Sequence, residues 1–545
     1  MSTIQIREGK GHPIIVFTLL IGVIGVLIAI AVPQFSAYRT RSHKSQLNSV
    51  DYAYRSSTPI YFSESPAVCN RPDFNTEEYD RIYENRFKDV AQNPLSTFSI
   101  DVDTASYSNV RRFIRMNQMP PRDAVRIEEM INYFDYDYPQ PEGEHPFSII
   151  TEISQCPWNP RNKLIHIGLQ GKTLDYSDQG PCNLVFLIDT SGSMASHNKL
   201  PLLKKAFRLL LDELDEGDRI AIVAYAGSAG LVLPSTPVSQ KEKILAAVNS
   251  FRAGGSTAGG AGIKLAYKVA KENLIKGGNN RVILATDGDF NVGVSSTGEL
   301  VRLIEDKRKD DIYLTICGFG MGNYKDGRME QISNAGNGNY FYIDNIREAE
   351  KVFVTEMRAT LFTIAKDVKI QIEFNPVKVK AYRLIGYENR VMADEDFNDD
   401  KRDAGELGAG HTVTALYEII PAAGSAQEVR TTDELRYQEN RVKAYASASN
   451  EMITVKFRYK PPRDDVSKLI EKPIIDEGVA LNEASDNLRF SAAVAGFGML
   501  LRDSQFKGDL TYEKVIELGK NSIGKDENGY RTEFISLVKT CALLE

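Results

Sequence analysis

Residues 183–194 have the sequence NLVFLIDTSGSM, in which an apolar run ends in a polar stretch that contains Asp189, Ser191 and Ser193. The run does not alternate polar with apolar residues, so it predicts a fully buried parallel strand. In open α/β sheets, ligands bind at the carboxyl ends of the strands. One carboxylate and two hydroxyl groups offer the oxygen ligands that Mg²⁺ prefers. The stretch therefore predicts half of a metal site at a strand end.

Two downstream segments can supply the other half of this site. Residues 254–257 form a glycine-rich loop that ends in Thr257, and residues 281–288 contain a second apolar run that ends in Asp287. A doubly wound sheet brings neighbouring strand ends together where the strand order reverses. We therefore expect five side chains to converge on one ion, namely Asp189, Ser191, Ser193, Thr257 and Asp287. The alternative is that DTSGSM forms only an Asp/Ser-rich turn with a capping role.

The order of these three elements resembles the von Willebrand factor type A domain, whose metal-ion-dependent adhesion site combines Asp-x-Ser-x-Ser with a later Thr and a later Asp. The resemblance implies a doubly wound, Rossmann-like α/β domain. It also implies that Ser191, Ser193 and Thr257 coordinate Mg²⁺ or Mn²⁺ directly. Asp189 and Asp287 would then bind the ion mostly through water. The glutamate or aspartate carboxylate of a protein partner would take the open coordination position.

Motifs outside this domain resemble a bacterial family of A-domain proteins that has its own N-terminal region and a C-terminal domain of unknown function. The stretches that carry the resemblance are DVDTASYSNVRRFI, VRIEEMINYFDYDYP, TDGDFNVG, GAGHTVTALYEIIP and LRFSAAVAGFGMLLR. The resemblance covers about Asn93 to Leu544. This resemblance implies an architecture rather than an activity.

The N-terminal segment is apolar enough to anchor the chain in a membrane. No charged residue occurs between Lys10 and Arg39, and the stretch from Ile14 to Val32 is almost wholly apolar. As a helix, this stretch is long enough to cross a hydrocarbon core of ~30 Å. We therefore expect a single-pass anchor in the cell membrane, with the bulk of the chain extracytoplasmic, in the periplasm or at the cell surface.

The same segment resembles the N-terminus of type IV pilins. A charged leader ends at Gly11, after which the resemblance places the cleavage, and Gly25 and Pro33 stand at the glycine and proline positions of that family. Two positions depart from it, since His12 replaces the usual Phe and Val16 replaces the usual Glu. The resemblance implies contact with pilus or pseudopilus subunits. The alternative is a plain, uncleaved signal anchor.

Predicted elements divide the chain into six parts. These are the pilin-like leader and anchor (1–44), a spacer (45–92), an N-terminal region (93–180), the A domain (181–360), a β-rich region (361–462) and a helical C-terminal region (463–545). Strands alternate with helices in the A domain, which a continuous helix from Ile346 to Leu361 is expected to close. The strand-rich flanks predict one β-sandwich into which the A domain is inserted.

Charge and cysteine content exclude some classes of function. The formal net charge is −7 and no basic domain occurs, which argues against a nucleic acid partner. The five cysteines form neither a CxxC motif nor a zinc-like cluster. A disulfide between Cys156 and Cys182 stays open, because the sequence does not give the distance between them.

The pattern favours an adhesion or protein-interaction module over an enzyme. A metal-dependent hydrolase would need a general base, and the metal site already uses both candidates, Asp189 and Asp287. We therefore expect no catalytic residue. Two alternatives remain within the binding classes. One is a structural subunit of a pilus or pseudopilus, and the other is an assembly factor that partners an AAA+ ATPase.

Overall fold

A computed structural model describes residues 75–175, 180–257, 259–288, 297–423 and 441–545 of the chain. The expected membrane span from Ile14 to Val32 and the expected cleavage after Gly11 lie outside these residues. Within the described ranges, no helix combines the length and the apolar character that a membrane crossing requires.

The central domain, residues 182–361, is built on a six-stranded sheet whose strand Cys182–Asp189 is buried along its whole length. Five strands run parallel, and the edge strand Ala229–Pro237 pairs antiparallel with Arg219–Tyr225. The predicted α/β fold is confirmed, although the antiparallel edge strand was not predicted. The order across the sheet is Tyr340–Ile343, Tyr313–Phe319, Asn279–Thr286, Cys182–Asp189, Arg219–Tyr225 and Ala229–Pro237.

Helices cover both faces of the central sheet with separate apolar cores. One face carries Leu200–Glu213, Lys241–Ser250 and the helical stretch that closes the domain, and the other carries Gly259–Glu272, Thr297–Arg308 and Asp326–Ala335. The closing stretch is not the single α-helix that the sequence predicted. It consists of Ile346–Glu350, a π-helical turn at Lys351–Thr355, and Met357–Leu361.

The flanks of the central domain form two further sheets, and each contains strands from before and after that domain. One has the order Lys88–Asp89, Val379–Ile385, Thr412–Pro421, Lys163–Gly171 and Phe147–Gln155. The other has the order Val391–Met392, Leu95–Ser99, Thr363–Phe374, Glu451–Lys460 and Lys468–Ile475, with Gly405–Gly408 paired to Thr363–Phe374. The predicted insertion of the central domain into one shared β structure is confirmed. The β structure continues to Ile475, beyond residue 462 where we expected it to end.

The C-terminal helices share a core with the N-terminal region. Asp486–Arg502, Tyr512–Lys520 and Tyr530–Leu544 pack with the helices Ala105–Arg115 and Ile127–Asn132. The contact is close, because a Cβ atom at Gly498 would lie 2.8 Å from Cγ1 of Ile127. The short helix Ala444–Ala448 lies at the surface. The two ends of the described chain therefore stabilise each other.

Four cysteines of the described part of the chain, Cys156, Cys182, Cys317 and Cys541, are buried free thiols. Cys156 and Cys182, whose pairing the sequence left open, are therefore not joined. Burial raises the pKa of Cys317 to about 12, so this thiol acts as a small apolar side chain.

Candidate metal site

The predicted ligands lie on loops at the carboxyl end of the central sheet. Asp189 is the last residue of its strand, and Asp287 directly follows the neighbouring strand Asn279–Thr286. The strand order reverses here, because Arg219–Tyr225 pairs with the other side of Cys182–Asp189. The predicted strand ends thus meet where a doubly wound sheet binds its ligands.

Backbone hydrogen bonds tie the Asp189 loop to the glycine-rich loop before Thr257. The amide of Gly192 donates to the carbonyl of Gly255 at 3.1 Å, and the amide of Gly254 donates to the carbonyl of Thr190 at 2.9 Å. Gly255 has a φ of +84°, which side chains disfavour. The half-buried Thr257 follows this turn. The structure therefore brings the first two ligand loops together.

The carboxylate of Asp189 is buried without a basic partner among the described residues. Its Oδ1 accepts a hydrogen bond from the Ser191 amide at 2.8 Å. Its Oδ2 accepts from the hydroxyl groups of Tyr225 at 3.1 Å and Thr286 at 3.3 Å. Burial raises the pKa of Asp189 to about 6, although these hydrogen bonds act in the opposite direction. A nearby cation would relieve this cost.

The two serines of the motif lie side by side but differ in their exposure to solvent. Their Oγ atoms lie 3.0 Å apart. Ser191 is buried, whereas Ser193, at the start of the short 3₁₀ helix Gly192–Ala195, is exposed. A ligand that approaches from solvent therefore meets hydroxyl groups before it meets the buried carboxylates.

Sequence analysis missed a lysine that contacts the second carboxylate. The ammonium group of Lys199 lies 2.9 Å from Oδ2 of Asp287 and 3.2 Å from Oδ1 of Asn323. Both members of the ion pair are buried. The only sequence signal was the position of Lys199, between the DTSGSM loop and the helix Leu200–Glu213. That position does not reveal a contact with a loop 88 residues away.

A second missed element is a strap formed by residues 75–79, which the sequence placed in the spacer. The amides of Thr76 and Glu78 donate to the carbonyls of Gly322 at 2.7 Å and Tyr324 at 2.9 Å. The Glu77 carboxylate accepts from the Gly322 amide at 2.8 Å and forms a bidentate pair with Arg112. The strap thus holds the loop that carries Asn323.

The donor set of the predicted site fits a small, hard cation. It comprises the carboxylates of Asp189 and Asp287 and the hydroxyl groups of Ser191, Ser193 and Thr257, so every ligand atom is oxygen. It contains no sulfur or imidazole donor, which Zn²⁺ prefers. The residues therefore suit Mg²⁺ or Mn²⁺.

A different acidic group, Asp101, Asp103 and Glu129, has carboxylate oxygens within 4.8 Å of one another. Two arginines pair with these carboxylates. Arg390 bonds both oxygens of Asp101, at 3.0 and 3.1 Å, and Oδ2 of Asp103 at 3.3 Å. Arg126 bridges Glu129 and Asp326. We name these residues the arginine–carboxylate cluster, in which Arg390 pairs with Asp101 and Asp103 and Arg126 pairs with Glu129 and Asp326.

Three protein-family models match the chain. The model of the von Willebrand factor matches residues 73–166, and that of the von Willebrand factor type A domain matches residues 183–355. The model of the C-terminal part of the uncharacterized protein YfbK matches residues 359–544. The predicted A-domain architecture with N- and C-terminal regions is therefore confirmed, whereas the pilin-like segment stays a prediction.

Relatives agree with these matches. The uncharacterized protein YfbK of Escherichia coli is 43% identical over 471 residues, which cover 85% of this chain and 81% of YfbK. Inter-alpha-trypsin inhibitor heavy chain H4 of Homo sapiens is 31% identical over 149 residues, which are 26% of this chain and 16% of that protein. A solved von Willebrand factor type A structure from Catenulispora acidiphila is 18% identical, covers 74% of this chain and 92% of its own, and has a TM-score of 0.41. The identity with YfbK and the three family matches show that the chain belongs to the family of von Willebrand factor type A domain proteins that includes YfbK of Escherichia coli.

Proposed function

We propose that this chain is a membrane-anchored, extracytoplasmic protein that binds protein partners through a divalent metal ion at the central domain. The observation that carries the proposal is Asp189, a buried carboxylate that has hydroxyl partners and, among the described residues, no basic one. A type A domain is a protein-interaction fold, and the match to residues 183–355 supports this class of function.

The five predicted residues have distinct parts in this proposal. Ser191, Ser193 and Thr257 would coordinate the ion directly, and Asp189 and Asp287 would hold it mostly through water. Neutral hydroxyl ligands donate little charge, so a bound Mg²⁺ supplies an electrophilic position for the carboxylate of a partner. The exposed side chain of Ser193 marks the side from which that partner arrives.

A binding function without catalysis agrees with the state of both carboxylates. Asp189 accepts three hydrogen bonds, and Asp287 pairs with Lys199. In the proposed site both carboxylates serve the metal ion, so neither is left to act as a general base. We propose that the protein is not an enzyme.

The anchor rests on the apolar stretch from Ile14 to Val32. N-terminal sequencing of the protein from isolated membranes tests its form. A start at His12 would favour incorporation into a pilus or pseudopilus, and an intact Met1 end would favour a fixed anchor. Recovery of the whole chain in the soluble fraction would contradict the anchor in either form.

The metal site is tested by replacing Asp189 with alanine and titrating Mg²⁺ by calorimetry. We expect the wild type to bind Mg²⁺ and the Asp189→Ala variant to show no measurable binding, with an unchanged circular dichroism spectrum. Asp212→Ala is the matched control, since Asp212 is 74% exposed and pairs only at the surface with Lys241. Equal Mg²⁺ affinity in the wild type and Asp189→Ala would refute the assignment.

The interaction itself is tested by panning a random peptide library against the purified chain in Mg²⁺. We expect the selected peptides to contain Asp or Glu, to be released by EDTA, and to bind the Asp212→Ala variant but not Asp189→Ala. Peptides that stay bound in EDTA would place the binding surface elsewhere.

A further inference from the structure

The ammonium group of Lys199 occupies part of the surroundings of a predicted metal ligand, Asp287. We propose that Lys199 weakens the binding of Mg²⁺ alone and thereby makes the metal and the carboxylate of a partner bind cooperatively. The inference rests on the proposed function and adds a regulatory residue to its site.

Lys199 is held in place along its whole length. Its stem packs on Gly320, where any Cβ atom would collide with the lysine, and the φ of Gly320 is +78°. Its ammonium group bonds Asp287 and Asn323, and its backbone amide donates to the Ser196 carbonyl at 3.0 Å. A side chain fixed in this way cannot swing into solvent when an ion arrives, so its charge stays in the site.

The fixed lysine changes the charge balance of the site. Among the charged groups that the structure describes at the site, the carboxylates of Asp189 and Asp287 supply two negative charges, and Lys199 supplies one positive charge. Mg²⁺ therefore enters a site with a net charge of minus one rather than minus two, and like-charge repulsion lowers its affinity. Once loaded, the site carries one surplus positive charge, whereas without the lysine it would be neutral.

One further carboxylate neutralises that surplus. The site is thus most stable with the metal and an acidic ligand bound together, which is a positive coupling between the two. Linkage requires the coupling to be reciprocal, so an acidic ligand must tighten Mg²⁺ as much as Mg²⁺ tightens the ligand. In this way Lys199 makes occupancy by metal depend on the partner.

The strap supports the same arrangement. Residues 75–79 hold the loop from Gly320 to Lys325, which supplies both Asn323 and the packing surface for the lysine. The ammonium position is therefore fixed by parts of the chain that are not metal ligands.

The experiment measures Mg²⁺ affinity of the full chain in detergent by calorimetry, with and without saturating acetate as the carboxylate probe. We expect acetate to tighten Mg²⁺ several-fold in the wild type. Lys199→Gln keeps a donor for Asp287 but removes the charge, so it should bind Mg²⁺ alone roughly tenfold more tightly and show a smaller acetate effect. Lys199→Arg retains the charge and should behave like the wild type.

Lys205→Gln is the matched control, because Lys205 is exposed on the adjacent helix. This variant should leave both the Mg²⁺ affinity and the effect of acetate on it unchanged. Lys199→Gln with wild-type or weaker Mg²⁺ affinity would overturn the inference. The inference would also be overturned if acetate did not change the Mg²⁺ affinity of the wild type. This second measurement needs no variant, so it decides the question even if Lys199→Gln does not fold. A failure of the proposed function itself would give a different result, because the wild type would then bind Mg²⁺ no more tightly than Asp189→Ala.

Discussion

Two groups of buried carboxylates in this molecule have similar burial and opposite surroundings. In the arginine–carboxylate cluster, Asp101, Asp103 and Glu129 are paired with Arg390 and Arg126. At the strand ends of the central domain, Asp189 has only hydroxyl and amide partners among the described residues, and Asp287 has one lysine. The two groups therefore differ in their built-in cations, since the first pairs with two arginines, whereas Asp189 has no basic partner among the described residues.

Counting carboxylates alone would choose the arginine–carboxylate cluster as the metal site. The arginine–carboxylate cluster has three acidic side chains within 4.8 Å, but its counter-ions are built in. Burial raises the pKa of Asp103 well above its usual range, and the neighbouring Asp101 raises it further. The predicted metal site has two carboxylates, and its other predicted ligands are hydroxyl groups, which the sequence pattern singles out.

The largest expected effect comes from removing a built-in counter-ion. Arg390→Met leaves Asp101 and Asp103 buried without their main cation, so we expect the free energy of unfolding to fall by about 3–5 kcal/mol. Urea unfolding followed by circular dichroism measures the loss. Mg²⁺ should not restore it, because Arg390 donates directed N–H hydrogen bonds to both oxygens of Asp101, which an ion cannot supply.

The control is an arginine that pairs at the surface. Arg402 lies 3.2 Å from Asp396 and is 63% exposed, so Arg402→Met should change stability by no more than about 0.5 kcal/mol. Equal effects of the two variants, or rescue of Arg390→Met by Mg²⁺, would remove the distinction between the two groups of carboxylates.

A smaller effect is expected in the pH dependence of the metal-free protein. The pKa of Asp189 is raised from 3.8 to about 6 by burial, so the native state holds a proton that the unfolded chain loses first. The stability from this group is fully present below pH 4 and is lost as the pH rises through 6, by about 2–3 kcal/mol.

Urea unfolding in EDTA at several pH values between 4 and 7 measures this loss in the wild type and in Asp189→Asn. The asparagine variant should lack this part of the pH dependence, so its stability relative to the wild type should increase with pH. Saturating Mg²⁺ should abolish the difference in slope by stabilising the ionised form in the wild type. Parallel curves in EDTA would show that Asp189 is compensated after all.

The smallest predicted effect concerns a ligand without charge. Thr257→Ala removes one hydroxyl group and leaves both carboxylates, so Coulomb attraction alone would predict no change. As a direct ligand, Thr257 completes the near-octahedral geometry that Mg²⁺ demands, and we expect its loss to weaken Mg²⁺ roughly tenfold. Ser256→Ala, in the same loop, should change the affinity less than about twofold. Calorimetry that gives equal effects for both would place Thr257 outside the site.

The fold of the central domain was predictable because the residue patterns that indicate its strands lie within short, continuous stretches of sequence. The runs at Cys182–Asp189 and Asn279–Thr286 are continuous and apolar, as buried parallel strands are. The edge strand Ala229–Pro237 was missed because it contains Gly230 and Pro234 and leaves much of its surface exposed. Such a segment has neither the apolar run nor the clean alternation that marks a strand.

The sequence singles out the motif residues of the candidate site but not the residues that contact them in the structure. Asp189, Ser191 and Ser193 lie within five residues, so their spacing alone carries the signal. Lys199 reaches Asp287 across 88 positions, and Arg390 reaches Asp101 across 289. Contacts of this separation leave no periodicity in a sequence, so the counter-ions that distinguish the two groups could be found only in the structure.

The insertion of the central domain sets an order of events during synthesis. Leu95–Ser99 leaves the ribosome early, yet its partner strand Thr363–Phe374 follows the whole inserted domain. Contacts within the central domain close shorter loops, so we expect this domain to fold first on the nascent chain. Once the central domain has folded, a shorter stretch of flexible chain separates Leu95–Ser99 from Thr363–Phe374. The C-terminal helix Tyr530–Leu544, made last, then closes the core begun by the helix Ala105–Arg115. A chain whose synthesis stopped after residue 361 would contain the whole central domain but would lack the later strands and helices that complete the flanking sheets and the helical core.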